Sequence, residues 1–205
     1  VSGLLSGHAR AAQFPVSPVS PLYPSELDTA FSATAFADAL AACETRPTRT
    51  LRLVVNSENA FKVSVAQQIA ATFTTSGIPM EAVSLPWAEY TAALAAGRFD
   101  LYYGEVRLLA DWDVSSLLAT GGSLNYGGWS DAQCNQLLEA CRSSAGRETA
   151  LNALYRYLRE QAPILPVCFK TVSALYESDV LEGLTPTAAE PFYDLNSCVI
   201  HLSAG

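Results

Sequence analysis

The sequence predicts an α/β fold, a mainly parallel sheet flanked by helices, and three observations carry that expectation. Three short apolar runs, "LRLVVN", "MEAVSLP" and "FDLYYGEV", alternate with two segments whose apolar residues recur at helical spacing. Each helical segment closes on a glycine, Gly77 and then Gly97, the residue that most readily ends a helix. The resulting β-α-β-α-β order predicts parallel pairing through right-handed crossovers.

Ahead of this unit, "HARAAQFPVSPVSPLYPSEL" places Pro15, Pro18, Pro21 and Pro24 at every third residue. Proline removes backbone donors and favours extended chain, so the segment reads as an ordered arm over a surface, or a linker. "SELDTAFSATAFADALAAC" reads as a helix, with Phe31, Ala35 or Phe36, Ala39 and Leu40 on one stripe. In the first crossover, Phe61, Val65, Ile69 and Phe73 recur every four residues; in the second, Trp87, Tyr90 and Leu94 share a face.

After the glycine-rich "ATGGSLNYGGW", two more helices are expected. "SDAQCNQLLEACRSS" opens with Ser130 and Gln133 at capping-box spacing, and "GRETALNALYRYLREQA" buries Leu151, Leu154, Tyr155 and Leu158. "PILPVCFKTVSALYES" reads as a strand pair or one bent strand, and the end of the chain as a loop and a final strand. The expected organisation is an arm plus helix over 1–48, an α/β lobe over 49–178 and a return segment over 179–205.

Composition excludes several classes. The 205 residues suffice to bury a core, and a net charge of −8 lacks the basic footprint that nucleic acid requires. No apolar run of about 18 residues is present, so no membrane span is expected, and no basic-then-apolar leader opens the chain. The first residue is Val1 rather than Met, which points to a processed or trimmed chain. The five cysteines lack a C-x-x-C; Cys134 and Cys141 share a helix face but stand about 10 Å apart along its axis, too far to bridge. They read as small buried hydrophobes. His8 and His201 have no metal-ligand spacing, "GGS" at 121–123 is no nucleophile elbow, and no phosphate-cradling loop occurs, so neither metal, cofactor nor catalytic residue is expected.

The candidate binding residues follow from the predicted topology. In open α/β sheets the ligand crevice lies beyond the carboxyl ends of the strands. Asn56, Ser57 and Glu58 follow the first strand, Trp87 the second, Glu105 and Arg107 the third, so parallel pairing brings them to one rim. Two apart at a strand end, Glu105 and Arg107 point the same way; Arg107 offers a grip on a carboxylate and Glu105 a partner for an amine. The plainer reading is a surface pair that satisfies itself. Asp111 and Asp113 flank Trp112, as an acidic, aromatic-backed wall for a cation or as a cap for the helix begun by "VSSLL". In "NYGGWSD", Asn125 and Tyr126 offer donors beside a glycine pair, and Trp129 reads as a staple before a helix. The candidate set is therefore Asn56, Glu58, Glu105, Arg107, Asp111, Trp112, Asn125 and Tyr126.

One ordered set of motifs carries a resemblance. A strand, a helix ending in "SGI", a second strand, "W-x-x-Y-x-x-x-L-x-x-G-x-F-D-L", a charged loop, "N-Y-G-G-W-S-D", a helix and "L-Y-x-x-L-x-E-x-A-P-I-L-P" together resemble the family 5 extracellular solute-binding proteins. Those are receptors for oligopeptide, dipeptide and nickel importers of the ATP-binding cassette (ABC) class. "SGLLSGHARAAQFPVSP" is similar to the family's stretch after the helix opening its second lobe, and "GLTPTAAEPFYDLNSCVIHL" to its closing segment. The resemblance implies a lobe of the type II periplasmic-binding-protein kind, matching the carboxyl-terminal lobe, with a first lobe and a lipid-anchored amino terminus absent here. It implies an extracytoplasmic location, at the cell surface or in the periplasm, and ABC permease subunits as partners. In peptide-binding members a Trp and a nearby Asp after the third strand line the pocket. Here Glu105 stands about where an aromatic often sits, Asp111 falls near the acidic position, and Asp113-Val114 replaces an Asp-Pro.

The expected function is non-catalytic: an importer's receptor lobe that captures a peptide or a similar small polar solute by two-lobe hinge closure. One alternative is a glycoside-hydrolase-like enzyme with Glu105 and Asp111 as its acid and base. Another is a sensor or interaction domain that keeps the fold without transport.

Overall fold

The computed structural model describes residues 8–30, 32, 34–143, 145–171, 173–177, 179–187, 190 and 192–201. The Pro-rich segment begins as β1 (Ala9–Ala11) and then runs irregularly. It is an inner layer of the molecule as much as a cover. Phe14 and Val16 are fully buried and Leu27 nearly so, against Val114, Leu118, Cys134, Leu154 and Tyr155. Prolines bring no backbone N–H that would need a partner there.

The single helix expected over 25–43 is broken. A 3-10 turn spans Ser25–Leu27, and α1 covers only Ala35–Ala42. Tertiary bonds override the local pattern: Gln13 grips Thr29 through backbone and hydroxyl, and Arg159 donates to the Leu27 carbonyl at 2.7 Å. Phe31 lies outside the described residues. Leu40 is the buried residue of α1, while Phe36 stays partly exposed and meets Phe73 edge-on.

Strands β2 (Leu51–Asn56), β3 (Met80–Leu85) and β4 (Leu101–Tyr103) form a parallel sheet in the order β3-β2-β4. The crossovers are α2 (Ala60–Thr75) and α3 (Trp87–Ala95). Alternation along β2 sends Leu53 and Val55 toward α2 and Val54 toward α3, so the central strand is covered on both faces. Gly77 and Gly97 adopt positive φ (91° and 62°) and end the two helices, with Ile78 donating to Phe73 and Arg98 to Ala93.

The core face of α2 differs from the expected stripe. Ala66 and Ala70 are the residues set deepest against the sheet. A strict four-residue repeat advances about 40° around a helix at each step, so Phe61 and Phe73 end up about 120° apart and cannot both face one sheet. In α3, Tyr90 and Leu94 are buried as expected, but Trp87 is 56% exposed and stacks on Tyr90.

The second half packs α4 (Ser115–Leu118), α5 (Ala132–Cys141) and α6 (Arg147–Gln161) around the buried Pro-rich segment. Asp131, not Ser130, caps α5, accepting from the Cys134 N–H at 2.6 Å. β5 (Cys168–Lys170) is a three-residue strand antiparallel to β1, in place of the longer strand expected. β6 (Leu181–Glu182) and β7 (Val199–Ile200) make a short antiparallel pair. The five cysteines are free thiols; Cys134 is buried, but Cys43 is exposed.

Candidate functional site

The parallel sheet sends the carboxyl ends of β2, β3 and β4 to one edge, and each end carries polar or aromatic groups. At β2, the Asn56 carboxamide accepts from the Glu58 N–H at 3.0 Å, closing a tight turn, and Asn59 caps α2 by accepting from the Lys62 N–H at 3.0 Å. Ser57 continues the ladder by donating to the Leu85 carbonyl at 2.8 Å. Glu58 reaches across the rim, where its Oε1 accepts from the Trp87 N–H at 3.1 Å. That places a carboxylate on the first turn of α3, whose own preceding residue, Pro86, makes no side-chain cap.

Aromatic rings form the floor of this edge. Trp87 stacks on Tyr90 with centroids 5.8 Å apart, and Tyr102 meets Tyr126 edge-on at 6.1 Å. The Tyr90 hydroxyl donates to the Tyr103 carbonyl at 3.1 Å, and burial pushes its pKa up to about 12, so it is a neutral donor. Gly104 fits between them: a Cβ there would come within 3.3 Å of the Tyr102 ring and 3.5 Å of the Tyr90 hydroxyl.

Beside the rings lies a charged triad. Glu105 Oε2 takes Lys62 Nζ at 2.9 Å and Lys170 Nζ at 2.8 Å. The hydrogen bond from Lys170 leads in lowering the Glu105 pKa, burial opposes it, and Lys62 adds to the lowering. Glu105 is thus an anion held between two cations, and one positive charge is left over. The expected Glu105–Arg107 pair gives way to this arrangement. β4 ends at Tyr103, so strand alternation does not extend to these residues, and Arg107 stands exposed four positions beyond the strand.

The remaining candidates are placed elsewhere. Trp112 turns inward with φ 54°; its indole N–H donates to Ser20 Oγ at 3.0 Å and its ring meets Phe169 edge-on at 5.5 Å. Asp113 lies just ahead of α4, whose N-cap is Val114, and its carboxylate accepts from the Ser115 N–H at 2.8 Å and from the Ser115 hydroxyl. Burial alone would raise the Asp113 pKa, and the Ser115 donors overcome it, leaving a net lowering. Asp111 accepts from the Asp113 N–H at 3.2 Å, and its carbonyl takes a guanidinium N–H of Arg147 at 2.6 Å. Asn125 spends its amide within its own loop, donating to the Ala119 and Trp129 carbonyls and accepting from the Trp129 N–H. Tyr126 remains partly exposed beside Tyr102.

Sequence reasoning passed over Lys62, Lys170 and Tyr102. Lys62 was within reach, because the first turn of a crossover helix sits at the carboxyl edge of a parallel sheet. Lys170 was not, since nothing local says that β5 runs past β4. Among the described residues, no group of three or more His, Cys, Asp and Glu side chains is placed to hold a metal ion, and no helix is long and apolar enough to cross a membrane.

Comparison with known proteins adds the fold's wider context. No family model matches the chain, and no curated protein matches it. Solved structures do. HbpA2 from Haemophilus parasuis superposes with a TM-score of 0.75 at 16% identity, over 96% of this chain and 41% of that one. The periplasmic oligopeptide-binding protein of an oligopeptide ABC transporter from Thermotoga maritima gives 0.74 at 15% identity, over 94% and 42%. The oligopeptide-binding protein AppA from Bacillus subtilis, in complex with a nonapeptide, gives 0.68 at 18% identity, over 98% and 44%. This chain therefore has the fold of part of such proteins, the α/β architecture of the type II periplasmic-binding-protein kind, and spans less than half the length of each.

Proposed function

We propose that this chain is one lobe of a two-lobed solute receptor serving an ABC importer. It binds an oligopeptide or a similar small polar solute at the carboxyl rim of its sheet. The observation that carries this reading is the convergence at one edge of Glu58, Trp87, Tyr126 and the Glu105–lysine triad, in a fold shared with part of several peptide-binding proteins. Aromatic faces supply apolar contact, and the triad supplies charge of both signs for zwitterionic ends. Asn56 and Arg107 belong to the same rim by position; Asp111, Trp112 and Asn125 support it through the loops they brace.

Closure by a second lobe completes the pocket. The β1–β5 ribbon on this reading serves as the hinge, and Lys170 ties it to the rim. On this reading the protein works outside the cytoplasm, anchored by lipid through its amino terminus and handing its solute to permease subunits.

Binding suits the electrostatics better than glycoside cleavage. A general acid needs a raised pKa, whereas the two ammoniums hold Glu105 ionised. Isothermal titration of this chain with defined di- to pentapeptides tests the proposal. The expected affinity is weaker than about 1 µM, because half the contacts are missing, and Trp87→Ala and Glu105→Gln each weaken it further. Sub-micromolar binding by the lobe alone would count against a two-lobe receptor, and so would turnover of chromogenic glycosides lost on Glu105→Gln.

A further inference from the structure

A groove of about 280 Å³ runs along α2, away from the rim. Phe61, Val65, Ile69 and Phe73 line one side and Val167 the other, with Gln68 and Thr72 at its margin. This stripe flanks the alanine face that the helix sets deepest against the sheet: Val65 is buried, and Ile69 and Phe73 pack partly on the sheet core while also lining the groove. One end is charged. The Lys170 ammonium stands 6.0 Å from the centroid of the Phe61 ring, and it shares a single Glu105 oxygen with Lys62, leaving one positive charge in excess.

We propose that this groove binds a medium-chain alkyl carboxylate, its head on Lys62 and Lys170 and its tail along Val65 and Ile69 toward Phe73. Charge complementarity selects an anion. The lining selects an alkyl tail over a peptide. A peptide backbone would need partners for its N–H and C=O groups. Of the two polar residues at the margin, Thr72 already donates its hydroxyl to the Gln68 carbonyl at 2.9 Å. Size fits as well: a cavity of about 150 Å³ admits benzene, so this volume takes roughly ten carbon atoms. The inference shares Lys62 and Lys170 with the receptor reading, but the tail leaves the rim along the helix, so amide shifts at Val65, Ile69 and Phe73 report on it separately.

The test is an NMR titration of the isotopically labelled chain with decanoate, decanol, decyltrimethylammonium and a peptide of four apolar residues, each below its aggregation threshold. Decanoate is expected to shift the amide signals of Phe61, Val65, Ile69 and Phe73. Each methylene removed from the tail weakens binding by up to about fourfold. Lys170→Met weakens decanoate about tenfold and leaves decanol unchanged. Gln68→Glu, at an exposed position, weakens decanoate as well, so the test survives if the first variant folds poorly. Equal binding of decanoate and decanol, preference for the ammonium or the peptide, shifts centred elsewhere, or no shift would each overturn the proposal. A concentration-dependent dimer that Gln68→Glu disperses would overturn it too, by assigning the groove to a second copy of the chain.

Discussion

Asp100 lies at the opposite edge of the sheet from Glu105, and its replacement by Asn separates what holds the fold from what binds at the rim. Both terminal nitrogens of Arg49 engage its carboxylate, the Nη1–Oδ2 contact measuring 2.7 Å. The Arg52 N–H adds a third donor at 2.8 Å, and the Asp100 N–H returns a bond to the Arg52 carbonyl at 3.1 Å. Together they fasten the start of β2 to the start of β4. The Arg49 hydrogen bonds, then that of Arg52, lower the Asp100 pKa from 3.8 to about 2. That lowering corresponds at most to about 2.4 kcal/mol. Asp100 is 18% exposed but Arg49 is 66% exposed, and water screening through the arginine brings this to about 1 kcal/mol. Because the folded-state pKa is depressed, the contribution is present in full above the unfolded value of 3.8 and fades as pH falls toward about 2. Urea titrations of Asp100→Asn and the parent at pH 6 should differ in midpoint by about 0.5 M, taking a slope of about 2 kcal/mol per molar. At pH 2.5 most of that gap should be gone. A gap of the same size at both pH values, or none at pH 6, would refute the electrostatic account.

Three further outcomes follow from contacts described above. Glu58→Ala removes the acceptor on the Trp87 N–H and should cost about 1 kcal/mol, with a change in tryptophan emission that Glu58→Gln largely restores. Tyr155 buries its hydroxyl without a hydrogen-bond partner among the described residues, so Tyr155→Phe should leave thermal stability unchanged or raise it by up to about 1 kcal/mol; a clear loss would reveal a partner. Glu105→Gln should lower stability by less than about 1 kcal/mol at neutral pH, since the carboxylate is nearly half exposed. With a lowered folded-state pKa, its contribution should fade as pH drops below the ordinary glutamate value, and denaturation midpoints across that range measure it.

The parallel unit was legible because its signals are local: apolar runs of strand length, helical periodicity and terminal glycines each speak within a few residues. The rim followed from topology, which is why Asn56, Glu58 and Glu105 could be placed at one edge in advance. What the residues do there was not legible. Glu105 finds Lys170 across 65 positions and Trp112 finds Ser20 across 92, and no spacing rule connects such pairs. The Pro-rich segment misled for the opposite reason. Its prolines signal extended chain correctly, but extended chain can thread a core as readily as it covers one, and the burial of Phe14 and Val16 is decided by helices encoded much later. The break before α1 is also a tertiary effect, imposed by Gln13 and Arg159 on a stretch whose own pattern is helical.

That threaded segment has a kinetic consequence. The strands and crossovers from Leu51 to Tyr103 complete their contacts with near neighbours, whereas Phe14 waits for Tyr155, far along the chain. Closing so long a loop is slow, so the two halves of the molecule mature at different speeds. In pulsed hydrogen exchange, amides of β2 and β3 should gain protection before those of α6. Simultaneous protection would mean that α6 organises the segment around Phe14 from the outset.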